Sequence, residues 1–127
     1  MQTTHKAMTA VGAETEVVTK ALLRAATMLD VPNVVLARVI GVSDATVSRL
    51  RNHGGTLPSR DKSFELAILF IRMFRSLDSL IGGDAQVARA WLRAPNDAIA
   101  GMPIDTIQTI QGLVNVIAYL DARRAVV

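Results

Sequence analysis

The chain contains no cysteine, and aromatic residues make up only 4% of its 127 residues. The absence of cysteine excludes a disulfide framework and a thiolate zinc site, and it is compatible with a reducing cytoplasm. No run of about 18 uncharged apolar residues occurs, so we expect no transmembrane helix. The N-terminus also lacks a basic segment followed by an apolar one, so no signal peptide is predicted. We therefore expect a cytoplasmic protein that does not bind a membrane.

Alternation of apolar and polar residues, the mark of a half-buried strand, is lacking as well. Apolar residues recur instead at helical spacing, most clearly in a segment that Asp61 or Ser63 can cap and that runs to about Leu80. Asn33 is predicted to cap a helix from Val34 to Ile40. The last two helices are predicted to run from Pro103 to Ile110 and from Gly112 to about Arg124. We predict an all-α fold in three parts. Residues 1–13 form a flexible N-terminus, residues 14–80 a helix-turn-helix bundle that includes the long helix, and residues 81–127 a small C-terminal helical domain.

Residues 36–50 fit two short helices joined by a tight turn. Gly41 ends the first helix where the backbone needs a positive φ, and Ser43 is suited to cap the second helix. Val47 and Leu50 lie three residues apart on the side expected to be buried. The other side carries short polar groups and arginines of the kind that reach base edges and phosphates. The predicted DNA-binding residues are Ser43, Asp44, Ala45, Thr46, Ser48, Arg49 and Arg51.

The charge around this segment supports DNA binding. Residues 36–62 contain five basic and two acidic residues, so their net charge of +3 equals that of the whole chain. A local basic patch is expected where a protein contacts phosphates. Two alternatives stay open: Gly-Val-Ser is only a turn between packed helices, and the arginines are an ordinary solvated face.

Residues with the spacing of a catalytic or metal site are absent from the sequence. The two histidines are His5 and His53, and neither has a carboxylate at helical spacing. Gly82–Gly83 lacks the lysine and the spacing of a phosphate-binding loop. We therefore predict that the protein is not an enzyme and has no catalytic residues, no metal site and no cofactor.

The second half has a skeleton of glycines, prolines and one tryptophan. It runs from Gly82-Gly83-Asp84 through Ala88-Arg89-Ala90-Trp91-Leu92 and Pro95-Asn96 to Gly101-x-Pro103, Ile107, Gly112, Val116 and Leu120. This skeleton resembles the C-terminal domain of the Xre/MbcA/ParS antitoxins, and the helix-turn-helix before it matches the N-terminal part of the same family. The resemblance covers about residues 20–124.

The resemblance implies an antitoxin of a type II toxin–antitoxin pair whose partner is a RES-domain toxin that consumes NAD. Such antitoxins dimerise, bind the toxin through the C-terminal domain and obstruct its NAD pocket. The complex can also bind its own operator and repress transcription. The implied partners are therefore a RES-domain toxin, operator DNA and a second copy of the chain.

Physical reasoning assigns roles to the residues of this skeleton. We expect Trp91 and Leu92 to be buried anchors that dock a short helix on the long one. Pro95, Gly101, Pro103 and Gly112 are expected to set backbone geometry, with Gly112 allowing a close approach or a bend. Alternatively, all residues of this skeleton only maintain the fold, and the toxin-binding residues lie elsewhere.

The end of the last predicted helix carries the candidate toxin-binding residues Asp121, Arg123 and Arg124. Arginine can reach into an anionic nucleotide pocket through bidentate contacts. Equally, Arg123 and Arg124 can simply complement the C-terminal end of a helix.

Two other functions remain open. One is a stand-alone helix-turn-helix regulator whose C-terminal half only dimerises. The other is a partner-binding protein whose helix-turn-helix no longer binds DNA.

Overall fold

The computed structural model describes the backbone of residues 2–125 and the side chains of residues 12–125. Within these residues the secondary structure is helical, as predicted, and the only strand-like pairing is an isolated bridge between Asn96 and Gly101. The helices, in chain order, are α1 (Gln2–Met28), α2 (Asn33–Ile40), α3 (Asp44–His53), α4 (Lys62–Leu80), α5 (Ala85–Arg93), α6 (Pro103–Thr106) and α7 (Ile110–Ala125).

Helix α4 lies at the centre of the bundle and packs against α1, α2 and α7. Its buried side chains follow the predicted apolar stripe, and Phe70, Met73 and Leu77 are completely buried. The buried residues of the two predicted halves form one hydrophobic cluster that includes Leu36 of α2 and Leu120 of α7. The predicted helix-turn-helix part and the predicted C-terminal part therefore share a single core.

Aspartate side chains explain where α4 and α5 begin. The Asp61 carboxylate accepts a hydrogen bond from the backbone N–H of Lys62 and so caps α4. The Asp84 carboxylate accepts from the N–H groups of Gln86 and Val87 and caps α5. These side chains satisfy N–H groups that have no partner within the helix.

Three boundaries differ from the prediction. Residues 2–13, which the prediction separated as a flexible N-terminus, have a helical backbone that is continuous with the rest of α1. Asn33 was predicted to cap α2, but it is the first residue of that helix and Pro32 occupies the cap position. Helix α6 ends at Thr106 and α7 begins at Ile110, so Gly112 lies inside α7 rather than at its start.

None of the helices in the part of the chain that the structure describes is long and apolar enough to cross a membrane.

Candidate functional site

The turn between α2 and α3 has the predicted geometry. Gly41 ends α2 in the left-handed conformation with φ +73°, and the N–H of Val42 donates to the carbonyl of Ala37. The hydroxyl of Ser43 accepts a hydrogen bond from the N–H of Thr46 at 3.1 Å and caps α3. A glycine in this conformation and a serine cap fix the direction in which α3 leaves the turn.

One side of α3 is buried and the other faces solvent. Val47 and Leu50 pack in the core, as predicted. Ser43, Asp44, Ala45 and Arg49 are exposed, whereas Thr46 and Ser48 are half-buried. The hydroxyl of Ser48 accepts a hydrogen bond from the Asn52 amide at 3.2 Å. These six predicted DNA-binding residues, the cap Ser43 and five residues of α3, therefore all stay at least partly accessible.

The seventh predicted DNA-binding residue, Arg51, has its guanidinium turned inward. It donates one hydrogen bond to the side-chain oxygen of Asn33 and another to the backbone carbonyl of Val31 at 3.0 Å. Burial lowers the pKa of Arg51, while the charge of Asp30 acts in the opposite direction. Because arginine stays protonated in proteins, this half-buried guanidinium remains a cation. Its hydrogen bonds tie α3 to the connection between α1 and α2, and a contact with DNA remains a prediction.

Two arginines of α5 contact the same α1–α2 connection. The guanidinium of Arg89 donates to the carbonyl of Met28 at 2.8 Å. The guanidinium of Arg93 donates to the carbonyls of Leu29 at 3.2 Å and Asp30 at 2.6 Å. These carbonyls lie at the end of α1, where the helix supplies no partner for them. Sequence reasoning missed both arginines, because spacing along α5 does not reveal which distant carbonyls the side chains reach.

An aromatic stack joins α5 to α7. The rings of Trp91 and Tyr119 have centroids 6.2 Å apart and planes inclined by 21°. The guanidinium carbon of Arg123 lies 5.7 Å from the centroid of the Tyr119 ring, within the range of a cation–π contact. Leu92 is completely buried, as predicted. The expectation of a buried Trp91 is wrong, since its ring is half-buried on Tyr119 at the protein surface.

The opposite side of α7 carries a polar network with α4. The Asp121 carboxylate accepts hydrogen bonds from the Arg72 guanidinium at 2.8 Å and the Ser76 hydroxyl at 2.9 Å. The Arg124 guanidinium donates to the Ser76 hydroxyl at 3.3 Å and forms an ion pair with Asp121. The pKa of Asp121 is lowered, chiefly by the Ser76 hydrogen bond and further by Arg72, against a smaller opposing effect of burial. Asp121 and Arg124 therefore join α7 to α4.

A groove of about 1040 Å³ lies between α1, α4 and α7 beside this network. Apolar side chains such as Val17 and Ile68 line it together with Arg72 and Arg124. Because 3.6 residues make one helical turn, Asp121 points about 200° around α7 from Tyr119. The three predicted toxin-binding residues are therefore divided, with Asp121 and Arg124 at the groove and Arg123 at the aromatic stack.

The remaining skeleton residues shape the connection from α5 to α7. After the exposed Pro95, two backbone hydrogen bonds pair Asn96 with Gly101 and close a tight loop. Pro103 is buried at the start of α6. A Cβ atom on Gly112 would lie 1.9 Å from the carbonyl oxygen of Thr106, so only glycine fits there. The close approach expected at Gly112 is thus between α7 and the end of α6.

Among the described residues, no group of three or more histidine, aspartate or glutamate side chains is arranged to hold a metal ion. His53 is exposed at the end of α3.

Comparison with protein families assigns both parts of this structure. Residues 12–72 match the antitoxin Xre-like helix-turn-helix domain. Residues 76–125 match the antitoxin Xre/MbcA/ParS C-terminal toxin-binding domain. The two matches meet within α4 and define an antitoxin with a helix-turn-helix domain and a toxin-binding domain, both of which are binding domains rather than catalytic ones. The chain belongs to the Xre/MbcA/ParS antitoxin family. No curated protein sequence matches it.

Proposed function

We propose that the protein neutralises a RES-type toxin that consumes NAD, by binding it through residues 76–125 and obstructing its active site. The observation that carries this proposal is the toxin-binding domain joined to a helix-turn-helix on one chain. The RES type of the toxin comes from the family resemblance. Arg123 is exposed at the end of α7 and has no salt bridge among residues 12–125, so its cation can reach an anionic pocket. Because NAD and operator DNA are both found in the cytoplasm, the protein acts there.

The proposal predicts that a neighbouring gene encodes a RES-type toxin, and co-expression with that protein tests this function. We expect the tagged antitoxin to retain the toxin through purification, and cellular NAD to stay at its normal level when both proteins are present. NAD should fall when the toxin is produced alone. If the toxin is not retained, the proposed neutralisation is wrong. DNA binding without toxin retention would instead favour a stand-alone regulator.

We propose further that the antitoxin represses its own operon through α3. The exposed Arg49 supports this role, because arginine forms bidentate contacts with guanine or a phosphate. Replacing Arg49 by alanine should weaken operator binding about tenfold and reduce the salt dependence by about one phosphate contact. Arg24→Ala removes the same charge from an exposed position on α1 and serves as the control. Equal operator affinity of both variants would contradict the role of Arg49.

A homodimer is the expected DNA-binding species. Helix-turn-helix proteins that bind as dimers place two recognition helices on half-sites about 34–36 Å apart. Sedimentation equilibrium should therefore give a mass twice that of the 13.7 kDa chain. A monomer at all concentrations, with operator binding intact, would contradict this part of the proposal.

A further inference from the structure

Helices α5 and α7 together expose a surface of apolar and aromatic side chains. We call it the aromatic face and define it as Val87, Ala90, Trp91, Tyr119 and Arg123. Val87 is 47% exposed, Ala90 is exposed, and Trp91 and Tyr119 are half-buried. Ala90 and Trp91 follow Val87 by three and four residues, so the three lie on one side of α5. The ring stack between Trp91 and Tyr119 continues this surface onto α7.

The aromatic face is ordered before any partner binds. Trp91 packs on the Tyr119 ring, and the Arg123 guanidinium lies against the same ring. Side chains that are already held in place lose less conformational entropy on binding. Tryptophan, tyrosine and arginine are also the residue types that most often dominate the energy of protein interfaces. The aromatic face therefore has the composition of a protein-binding surface, and its side chains lose little conformational entropy when a partner binds.

The charge of the aromatic face is not neutralised within the described chain. No salt bridge involving Arg123 occurs among residues 12–125, whereas Arg72 and Arg124 are paired with Asp121. The two arginines of α5 are directed to the end of α1. Arg123 is thus a positively charged group at the edge of an apolar surface, and its natural complement is a carboxylate beside an apolar recess.

We propose that the toxin docks on the aromatic face, with Trp91 and Val87 against an apolar recess of the toxin and Arg123 against a toxin carboxylate. All five residues lie within residues 76–125, which match the toxin-binding domain, and this is why the toxin is the occupant. The inference rests on the proposed function, because it names the surface by which the antitoxin holds its toxin. The side of α7 that carries Asp121 then faces away from the docking surface.

The test compares two exposed valines of the toxin-binding domain. Val87→Glu places a charge in the aromatic face, whereas Val114→Glu places the same charge at a position of α7 that is 43% exposed. Val114 points about 140° around α7 from Tyr119, outside the face. Affinity for the RES-type toxin that we expect the neighbouring gene to encode is measured by calorimetry with full-length antitoxin. We expect Val87→Glu to weaken binding by at least about thirtyfold, as at an interface hot spot, and Val114→Glu to change it less than threefold.

Arg123→Ala provides a second measurement and should weaken binding about tenfold, with a smaller salt dependence than the wild type. Thermal unfolding of each variant checks the fold, because all three substituted side chains are exposed. If Val87→Glu and Arg123→Ala both bind the toxin as tightly as the wild type does, the proposed docking surface is wrong, while the proposed function stands. The same holds if only Val114→Glu weakens binding. If the wild type itself does not bind the toxin, the docking surface and the proposed function both fail.

Discussion

The helix-turn-helix region and the toxin-binding region each contain a pair of nearby arginines that point in different directions. In α3, Arg49 is exposed, whereas Arg51 donates to Asn33 and to the carbonyl of Val31. In α7, Arg123 lies on the Tyr119 ring, whereas Arg124 donates to Ser76 of α4. In each pair one arginine is available to a partner and the other joins two helices. A local count of positive charge therefore does not show which arginines are free of contacts with other helices.

Helical geometry explains the division. Residues two apart on a helix point about 200° away from each other, and adjacent residues about 100°. Arg49 and Arg51 therefore leave α3 in different directions, and Arg123 and Arg124 reach different neighbours. The two regions differ in the groups that Arg51 and Arg124 contact. Arg51 is bound to a backbone connection and to a half-buried amide, whereas Arg124 takes part in a network at the edge of an open groove.

The largest expected effect is a loss of stability, and it should differ between a glycine of the toxin-binding region and a glycine of the helix-turn-helix region. Gly112→Ala should lower the free energy of unfolding by about 3 kcal/mol, because its Cβ would overlap the Thr106 carbonyl and force a backbone shift. Gly41→Ala should cost about 1 kcal/mol, since it strains a left-handed backbone but meets no atom closer than 3.8 Å. Urea denaturation measures both. Equal losses would show that the close approach at Gly112 is not essential.

The next effect separates the two arginines of α3. Arg51→Ala should destabilise the protein by about 2 kcal/mol, because the Val31 carbonyl and the Asn33 amide lose a charged donor. Arg49→Ala should change stability by less than about 0.5 kcal/mol, as is usual for an exposed side chain. Thermal unfolding at low salt measures the difference. A stable Arg51→Ala variant with weakened operator binding would reverse the roles that we assign to the two residues.

A smaller effect tests whether the two regions unfold together. Arg93→Ala removes the hydrogen bonds to the carbonyls of Leu29 and Asp30 but leaves those of Arg89, and it should cost about 1.5 kcal/mol. We expect a single unfolding transition because the core is shared. Arg75→Ala, at an exposed position of α4, is the control. Unfolding is monitored by tryptophan fluorescence and by far-UV circular dichroism. Two separate transitions in the Arg93→Ala variant would contradict a common core.

The smallest effect concerns the network at the end of α7. Because the pKa of Asp121 is lower in the folded state than in the unfolded chain, its contribution to stability is present above about pH 4 and is lost as the pH falls through the folded pKa. Asp121→Asn should cost at most about 1 kcal/mol at pH 7, since the carboxylate is partly exposed. The difference from the wild type should shrink below pH 4. A difference that grows at low pH would contradict the direction of the shift.

Signals within a few residues of each other predicted much of this structure. Ser43 and Asp61 were identified as helix caps, and Gly41 as a position that needs positive φ, because each depends on neighbouring backbone groups. The predictions for Asn33 and Trp91 were wrong. Asn33 contacts an arginine 18 residues away, and Trp91 stacks on a ring 28 residues further along the chain. Such partners cannot be inferred from spacing within one helix.

The sequence by itself determined the all-α class, the turn between α2 and α3, and the buried stripe of α4, since helical periodicity and capping act over one or two turns. Only the tertiary structure decided which arginines are held by other parts of the chain and which stay exposed. It directed Arg51, Arg89 and Arg93 to the carbonyls at the end of α1, and it left Arg49 and Arg123 at the surface. The physical reason is that a carbonyl without a helical partner attracts whichever donor the packing of the helices brings within reach.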